Sequence, residues 1–385
     1  MNFEFAAPSR IVFGEGRLAE AGAIAAAFGR RALIVEGSSG ARGGGRLREL
    51  LDAAGVAVAA TLHVAGEPTT TLVEGGAAEA RRARCDVVIA LGGGSVIDAA
   101  KAVSALLTNA GALADYLEVV GRGRPLAEPA APTVAIPTTA GTGAEVTRNA
   151  VLMVEDARVK VSLRSPLMLP RVALVDPELT YSLPPDVTAR TGLDALAQCV
   201  EPFVTPAASP LSDAVAREGM RRAGGALRRA VRDGDAESRR DMAVASLCGG
   251  LALANAKLGA IHGFAAPLGG MFPVPHGTAC ARLLAPVVAA NVRALRERAA
   301  DSPALDRYDE AARTLTGDPS ARADDLAPWL ADLVRDLGVP ALSSFGVAAS
   351  DVPNVVAQAK RASSMQGNPV ALTDDELSAA LAAAL

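Results

Sequence analysis

Aromatic residues and cysteines are scarce in this chain of 385 residues. Phe, Tyr and Trp together make up 3% of it, whereas hydrophobic residues make up 50%. The cores must therefore be built from Ala, Val and Leu. The four cysteines, Cys85, Cys199, Cys248 and Cys280, are widely spread and form no CxxC pair, which argues against a disulfide framework or a cysteine-type zinc site. We expect Cys199 and Cys280 to be small buried core residues.

A strong net charge and a long apolar run are also missing. The net charge of −4 provides no general attraction to nucleic acid or anionic membranes. The arginine-rich run 217–232 is interrupted by apolar residues at helical spacing, so it predicts a solvated helix face. The stretch 242–256 is too short for a membrane span, and residues 1–10 lack the apolar core of a secretory signal. We therefore expect a cytoplasmic protein that binds neither nucleic acid nor membranes.

The order of apolar runs predicts two domains. Apolar strands alternate with helical patterns in the first half, which indicates a parallel sheet covered on both faces. The candidate strands are residues 10–13, 32–35, 56–61, 87–91, 133–137 and 172–175. Residues 151–163 are typical of a hairpin, and long helical patterns follow Pro184 and Pro185, which suit a helix start. We predict an α/β domain at 1–183 and an all-helical domain at 184–385.

Two glycine-containing loops follow predicted strands. Residues 87–91 lead into Gly92-Gly93-Gly94-Ser95, and a helical pattern begins at Val96. Glycines let a ligand approach the backbone, and a helix N-terminus favours an anion such as a pyrophosphate. Residues 137–145, with three threonines and two glycines, follow a second strand. Turns of both kinds also occur in units that bind nothing, so the spacing leaves a structural role open.

Two of the three histidines lie close together in sequence. His262 and His276 each stand beside a glycine, and Asp194 and Gln198 are spaced i, i+4 on a predicted helix, which places them on one face. Two imidazoles and a carboxylate form a common set for Zn²⁺ or Fe²⁺. The alternative is that each histidine is a structural core residue. We assign a structural role to His63.

Taken in order, these motifs resemble the iron-containing (group III) alcohol dehydrogenase family over essentially the whole chain. The matching segments are residues 8–14, 66–70, 92–101, 137–147, 175–177, 192–196, 259–262 and 367–369. The resemblance implies a Rossmann-like parallel-sheet domain followed by an all-helical, dehydroquinate synthase-like domain. It also implies a cofactor and a divalent metal in the cleft between the domains, and a homodimer or a larger homo-oligomer.

The resemblance also implies roles for individual residues. The positions that match cofactor contacts are Gly93, Gly94, Ser95, Asp98, Thr138, Thr139, Thr142, Thr147, Lys160 and Leu179. Asp194, His262 and His276 match three of four metal ligands. The fourth is usually a histidine, where this chain has Gln198, whose amide oxygen remains a possible ligand. A second family histidine, linked to proton relay, is Ala266 here. The metal expected is Fe²⁺ or Zn²⁺.

The choice between NAD and NADP depends on the turn after residues 32–35. An acidic side chain there holds the adenosine ribose 2′-hydroxyl and repels a 2′-phosphate. Family members that prefer NAD commonly have an aspartate where this chain has Gly37. Gly37, Ser38 and Arg42 favour NADP or the use of both cofactors, whereas Glu36 favours NAD if its side chain turns toward the ribose.

The activity implied by the resemblance is NAD(P)-dependent interconversion of an alcohol and an aldehyde or ketone by metal-assisted hydride transfer. Asp194, His262 and His276 are then the catalytic residues, and the substrate is a small molecule. One alternative is a maleylacetate-reductase-like or polyol dehydrogenase acting on an acidic or polyhydroxylated substrate. Another is a non-catalytic nucleotide-binding protein whose metal site has decayed, as Gln198 and Ala266 suggest.

Overall fold

The computed structural model describes residues 2–37, 42–157 and 159–385. They divide into two compact units. The α/β unit consists of Ala6–Thr139 and Gly143–Ser182. The helical unit consists of Leu183–Leu385, together with Ala140–Thr142 and the N-terminal segment up to Phe5.

The strands all belong to the α/β unit. They are β1 Arg10–Phe13, β2 Arg31–Gly37, β3 Ala57–Val64, β4 Val87–Gly92, β5 Thr133–Pro137, β6 Asn149–Val154, β7 Val159–Arg164 and β8 Val172–Val175. Six of them form one sheet in the order β1-β8-β5-β4-β2-β3, and every pair in it is parallel. The antiparallel pair β6–β7 is the expected hairpin.

Helices cover both faces of the sheet. The helices of this unit are α1 Ala21–Ala26, α2 Gly44–Ala53, α3 Thr70–Arg82 and α4 Gly94–Thr108. Leu33 and Val35 of β2 pack in the cluster formed with α3 and α4, whereas Ala32 and Ile34 pack with α1 and α2. This alternation follows from the two-residue period of a strand. It explains why the central strands are continuous apolar runs, and the parallel sheet predicted from those runs is confirmed.

The helical unit is built around one large apolar core. Its helices are α5 Pro185–Val204, α6 Pro210–Arg232, α7 Ala236–Asn255, α8 Ala260–Met271, α9 His276–Arg298, α10 Pro303–Thr316, α11 Ala323–Asp336, α12 Val352–Ala359 and α13 Asp374–Ala382. Pro185 occupies the first turn of α5, where its missing N–H costs no hydrogen bond. The helical character predicted for this part of the chain is confirmed.

One helix of the described residues, α9, is long and apolar enough by composition to cross a membrane. However, 78% of its apolar window is buried inside the protein. The helices α7 and α8 pass the same test only as one span bent by 98°. Burial of this kind is typical of a core helix, because both a core and a bilayer select apolar side chains.

Candidate metal centre and nucleotide-binding loops

The two glycine-containing loops of the α/β unit are neighbours. Gly92 ends β4 and pairs with Pro137 at the end of β5. Gly93 then caps α4, and a Cβ added to it would lie 3.3 Å from the Oγ1 of Thr139. The backbone N–H of Thr138 donates to the carbonyl of Gly92 over 2.9 Å. Both loops therefore lie at the carboxyl edge of the sheet, where open α/β sheets bind their ligands.

The N-terminus of α4 leaves backbone donors available at this edge. Its first hydrogen bonds run from the N–H groups of Val96 and Ile97 to the carbonyl of Gly93. The N–H groups of Gly94 and Ser95 come before them, in the part of a helix that lacks internal acceptors. Such donors and the helix dipole together favour a phosphate.

Asp98 and Thr147 both contact a buried lysine. Lys101 of α4 is fully buried, and its Nζ lies 2.9 Å from the Oδ1 of Asp98. The Nζ also donates to the Oγ1 of Thr147 over 2.9 Å, to the carbonyl of Ala144 over 3.0 Å, and to the carbonyl of Asn149. The Lys101 cluster, meaning these five residues, ties α4 to the segment after β5 and to β6. The sequence analysis did not identify Lys101.

The end of β2 contains a carboxylate that is paired with an arginine. Glu36 is buried, and its two oxygens accept hydrogen bonds of 2.7 and 3.1 Å from the guanidinium of Arg48. The positive charge of Arg48 offsets the repulsion that an unpaired carboxylate would exert on a 2′-phosphate. Gly37 is the last residue of β2. Ser38, the other residue predicted to contact the cofactor here, lies outside the described residues.

Three other predicted cofactor residues occupy separate places. Lys160 lies in β7 and forms an ion pair of 2.8 Å with Glu67. Leu179 is buried, and its Cδ2 lies 3.0 Å from the position of a Cβ added to Gly43. Thr142 belongs to a three-residue segment of the helical unit. The Lys160 ammonium therefore already has an anionic partner, whereas Leu179 borders the turn that precedes α2.

One face of α5 supplies three polar side chains to the core of the helical unit. Asp194, Gln198 and Glu201 are spaced i, i+4 and i+7, and all three are buried. This spacing places them on one side of the helix. Buried carboxylates need charged or hydrogen-bonding partners. The two histidines of this unit supply them.

His262 is held between two of these carboxylates. Its Nδ1 lies 2.6 Å from the Oε2 of Glu201, and its Nε2 lies 3.3 Å from the Oδ1 of Asp194. The Oε1 of Glu201 accepts a 2.7 Å hydrogen bond from the N–H of Ile261. Because a carboxylate only accepts, Nδ1 carries a hydrogen toward Glu201. The Nε2 therefore faces Asp194 as a donor when the ring is protonated, and it offers a lone pair to a metal when the ring is neutral.

His276 and Cys280 complete the cluster from α9. The Nε2 of His276 lies 3.6 Å from the Oδ1 of Asp194. The Sγ of Cys280 lies 3.6 Å from this Nε2 and 3.7 Å from the Nε2 of His262. Cys280 is buried, as expected, but its thiol faces both imidazoles. The ligand atoms of the four residues all lie within 4.8 Å of one another.

The pKa values in this cluster favour positive charge at its centre. Burial lowers the pKa of His276, but Cys280 and Asp194 outweigh burial and raise it to about 9. Burial likewise lowers the pKa of His262, yet Cys280, Glu201 and Asp194 hold it well above its ordinary value. Burial raises the pKa of Asp194, but His276, His262 and a hydrogen bond from Gln198 keep it below its ordinary value.

The donor set fits a divalent cation. Bonds of about 2.0–2.1 Å from a tetrahedral zinc to oxygen and nitrogen place those atoms about 3.3 Å apart. The corresponding distances from Asp194 to His262 and His276 are 3.3 and 3.6 Å. Within the described part of the chain, the buried Oε1 of Gln198 has no hydrogen-bond partner. Such an acceptor needs a hydrogen-bond donor or a cation beside it.

Two side chains that contact the histidines were not assigned to the site by the sequence analysis. Glu201 is seven residues after Asp194, and Cys280 is four residues after His276. Both spacings are helical, so extending each motif by one or two turns would have identified them. Predicted ligands Asp194, His262 and His276 come together in the structure, and Gln198 lies beside Asp194.

Comparison with known proteins identifies the family. A family described as iron-containing alcohol dehydrogenase matches residues 8–177, and its C-terminal counterpart matches residues 188–385. The chain is 37% identical to 4-hydroxybutyrate dehydrogenase of Cupriavidus necator, with 86% of each chain covered. It is 35% identical to choline dehydrogenase of Bacillus subtilis, with 95% of this chain and 90% of the relative covered.

A solved structure agrees with these matches. The sulfoacetaldehyde reductase of Bifidobacterium kashiwanohense in complex with NAD⁺ superposes with a TM-score of 0.87 at 31% identity. The superposition covers 100% of this chain and 99% of the other. The chain belongs to the iron-containing alcohol dehydrogenase family.

Proposed function

We propose that this protein interconverts an alcohol and an aldehyde or ketone, with NAD(P) as the redox cofactor and a divalent metal at Asp194, His262 and His276. The observation that carries the proposal is the convergence of three ligand atoms. Glu201 occupies the Nδ1 of His262, and the Nε2 atoms of His262 and His276 lie 3.3 and 3.6 Å from the same oxygen of Asp194. Membership of the family supports the same assignment.

Side chains around this point have separable tasks. A divalent metal, when bound, supplies Lewis-acid polarisation of the substrate oxygen. Glu201 fixes the tautomer and ring plane of His262. Gln198 donates a hydrogen bond to Asp194 and so orients that carboxylate. Because Ala266 has no proton-carrying side chain, the proton of the alcohol leaves through water or a ribose hydroxyl.

The cofactor assignment rests on the loops of the α/β unit. The nicotinamide cofactor supplies the hydride acceptor or donor. We propose that the N–H groups of Gly94 and Ser95 and the side chain of Thr139 bind its phosphates, together with the other predicted contacts Gly93 and Thr138. Since Arg48 neutralises Glu36, the turn after β2 favours NADP or the use of both cofactors. The ratio of kcat/KM for NADPH and NADH measures this preference.

The metal assignment is tested by chelation and reloading. Protein purified without added metal is assayed for metal content and for NADPH-linked aldehyde reduction, then stripped and reloaded. We expect near-stoichiometric metal, loss of turnover on stripping and recovery on reloading. His276→Ala should lower kcat about 10³-fold while NADPH binding is retained. His63→Ala, the third histidine, is the matched control. Equal turnover in His276→Ala and wild type would refute the metal assignment.

A second candidate concerns the charge of the substrate. Two of the similar proteins are named for anionic compounds, 4-hydroxybutyrate and sulfoacetaldehyde, and a third is named for the cation choline. The acidic-substrate alternative therefore keeps support. Comparing 1-butanol with 4-hydroxybutyrate at equal chain length distinguishes it, because only an acid-specific site would give a much higher kcat/KM for the hydroxy acid.

The decayed-site alternative predicts stoichiometric NADPH binding without turnover on any alcohol or aldehyde of such a panel. A cytoplasmic location and a homodimeric or larger assembly remain proposals from the family resemblance. Light scattering after size-exclusion chromatography measures the assembly directly, and a monomer at assay concentration would contradict it.

A further inference from the structure

We propose that Cys280 is the fourth protein ligand of the metal, so that the centre is an Asp-His-His-Cys site that takes Zn²⁺ in preference to Fe²⁺. The inference rests on the proposed function, because it concerns the same metal. It changes the expected ligand set in two ways. A thiolate of α9 enters the set, and Gln198 of α5 leaves it.

The distances around Cys280 are those of a tetrahedral site. A zinc–sulfur bond of about 2.3 Å and a zinc–nitrogen bond of about 2.0–2.1 Å place sulfur and nitrogen about 3.6 Å apart. The Sγ of Cys280 lies 3.7 and 3.6 Å from the Nε2 atoms of His262 and His276. Together with the two distances from Asp194 to the histidines, four of the six distances among the ligand atoms match a tetrahedral centre, and the other two are within 4.8 Å.

The position of Cys280 on its helix produces this geometry. His276 is the first residue of α9, and Cys280 follows one turn later on the same face. Its side chain is fully buried, so the thiol cannot turn away to solvent. The cysteines Cys199 and Cys248 of the same unit are also buried, but neither belongs to the cluster of metal-ligating side chains.

Gln198 is better described as a positioning residue. It donates a hydrogen bond to Asp194, and only its amide nitrogen can donate, so the nitrogen faces the carboxylate. The amide oxygen keeps a free lone pair within the described residues. That oxygen is available to accept a hydrogen bond from a substrate hydroxyl or from water. A ligand role for Gln198 would require the amide to turn over and lose its bond to Asp194.

The thiol changes the net charge of the site and its preference between Zn²⁺ and Fe²⁺. On binding, Cys280 releases its proton to solvent and forms a sulfur–metal bond. Two anionic ligands then balance a divalent cation, and two neutral imidazoles complete the set. Sulfur is a soft ligand that suits zinc, and a given set of nitrogen, oxygen and sulfur ligands generally binds Zn²⁺ more tightly than Fe²⁺. A site with three nitrogen or oxygen ligands and a glutamine would carry one more positive charge and lack the soft ligand.

The first experiment measures which atoms are bonded to the metal and does not depend on activity. Wild-type protein is stripped and reloaded with Co²⁺ or Zn²⁺. We expect a thiolate-to-cobalt charge-transfer band in the near ultraviolet, and one sulfur neighbour at about 2.3 Å in zinc X-ray absorption. A shell of nitrogen and oxygen alone in the wild type overturns the inference. This measurement needs no variant, so it does not depend on whether a variant folds.

Three variants sharpen the result. Cys280→Ala should lose the band and weaken Zn²⁺ binding by more than about 100-fold, which exceeds the effect of removing an outer-shell partner. Gln198→Ala should keep the band. Cys248→Ala, the matched buried cysteine, should keep both the band and the affinity. A band that survives in Cys280→Ala, or that is lost in Gln198→Ala alone, contradicts the assignment.

The outcomes also separate this inference from the proposed function. A metal-dependent activity with a sulfur-free shell leaves the proposed function intact and removes Cys280 from the ligand set. Protein that binds neither Zn²⁺ nor Co²⁺ overturns both. Competition between equal concentrations of Fe²⁺ and Zn²⁺ under anaerobic conditions then tests the preference, and occupancy mostly by Fe²⁺ contradicts it.

Discussion

Two buried polar clusters, one in each unit, differ in how completely their side chains are paired. In the Lys101 cluster a single ammonium meets one carboxylate, one hydroxyl and two backbone carbonyls. The second cluster, the metal cluster, consists of the candidate metal ligands Asp194, His262, His276 and Cys280. Its carboxylate, two imidazoles and thiol face one another, and a nearby buried amide oxygen has no partner within the described residues.

The difference indicates different roles. A buried charge is tolerated when its partners satisfy it, and the result is a rigid structural junction. A group of electron-pair donors that converge on one point is stable only with protons or a cation among them. The Lys101 cluster is therefore complete as it stands, whereas the converging donors of the metal cluster need protons or a cation among them. Four variants test this contrast.

Removing the ammonium of the Lys101 cluster should have the largest effect. Lys101→Met keeps most of the volume but leaves Asp98 and two carbonyls without their buried partner, so the free energy of unfolding should fall by about 4 kcal/mol. Urea denaturation followed by far-UV circular dichroism measures it. Lys360→Met, which removes an exposed ion pair with Asp374, is the control and should cost at most about 1 kcal/mol. Equal losses would mean that the Lys101 cluster is not a structural junction.

Glu145 makes the stability of the α/β unit depend on pH. Burial raises its pKa from 4.5 to about 7, although hydrogen bonding to its own backbone and the charge of Lys101 oppose this. Between these values the unfolded chain loses its proton while the folded chain keeps it, so stability falls as pH rises, by about 3 kcal/mol in total. Glu145→Gln removes this loss.

The measurement compares urea denaturation of wild type and Glu145→Gln from pH 4 to pH 8. The stability of the variant relative to wild type should rise between about pH 4.5 and pH 7 and then stay constant. Other titrating groups contribute equally to both proteins and cancel in the difference. Parallel profiles would show that Glu145 ionises as readily in the folded protein as in the unfolded chain.

The two clusters also show which features of this protein can be predicted from its sequence. The parallel sheet and its loops were predictable because each depends on neighbouring residues: an apolar run, then glycines, then a helix start. The two helical layers follow from the same local patterns. The order of the strands was not predicted, because it depends on which distant strands pair in the folded chain. Lys101 was not recognised, because three of its four partners come from segments that only the folded chain brings to α4; Asp98 alone lies on the same helix.

The sequence predicted part of the metal cluster but not all of its residues. Asp194, His262 and His276 belong to types that bind metals, so a sequence draws attention to them. Glu201 is separated from His262 by 61 residues, and a glutamate on a helix is ordinarily a surface residue. A buried cysteine such as Cys280 is typical of an apolar core. Only its distance to the imidazoles indicates another role.

Glu201 should affect metal affinity rather than fold. Glu201→Gln places an N–H donor opposite the Nδ1 of His262, so the ring hydrogen moves to Nε2 and blocks the metal-facing lone pair. Zn²⁺ affinity should fall by about 10- to 100-fold, measured by competition with a chromophoric chelator. Glu218→Gln, an exposed glutamate of α6, should leave the affinity within about twofold. Unchanged affinity in Glu201→Gln would mean that the tautomer of His262 is set elsewhere.

Thr147 should give the smallest effect, and it separates a structural role from the cofactor role predicted for it. Its Oγ1 accepts from Lys101 over 2.9 Å and donates to the carbonyl of Ala144 over 3.2 Å. Thr147→Val keeps the shape and removes one acceptor of a charged donor, so stability should fall by about 1.5 kcal/mol. The Kd for NADPH should remain unchanged, because the only hydrogen of this hydroxyl already bonds the carbonyl of Ala144 and is not available to a phosphate oxygen. Thr139→Val, in the loop beside Gly93, is the matched control and should weaken NADPH binding with little loss of stability. The opposite pair of results would place Thr147 in the cofactor site and show that the Lys101 cluster is incomplete without its ligand.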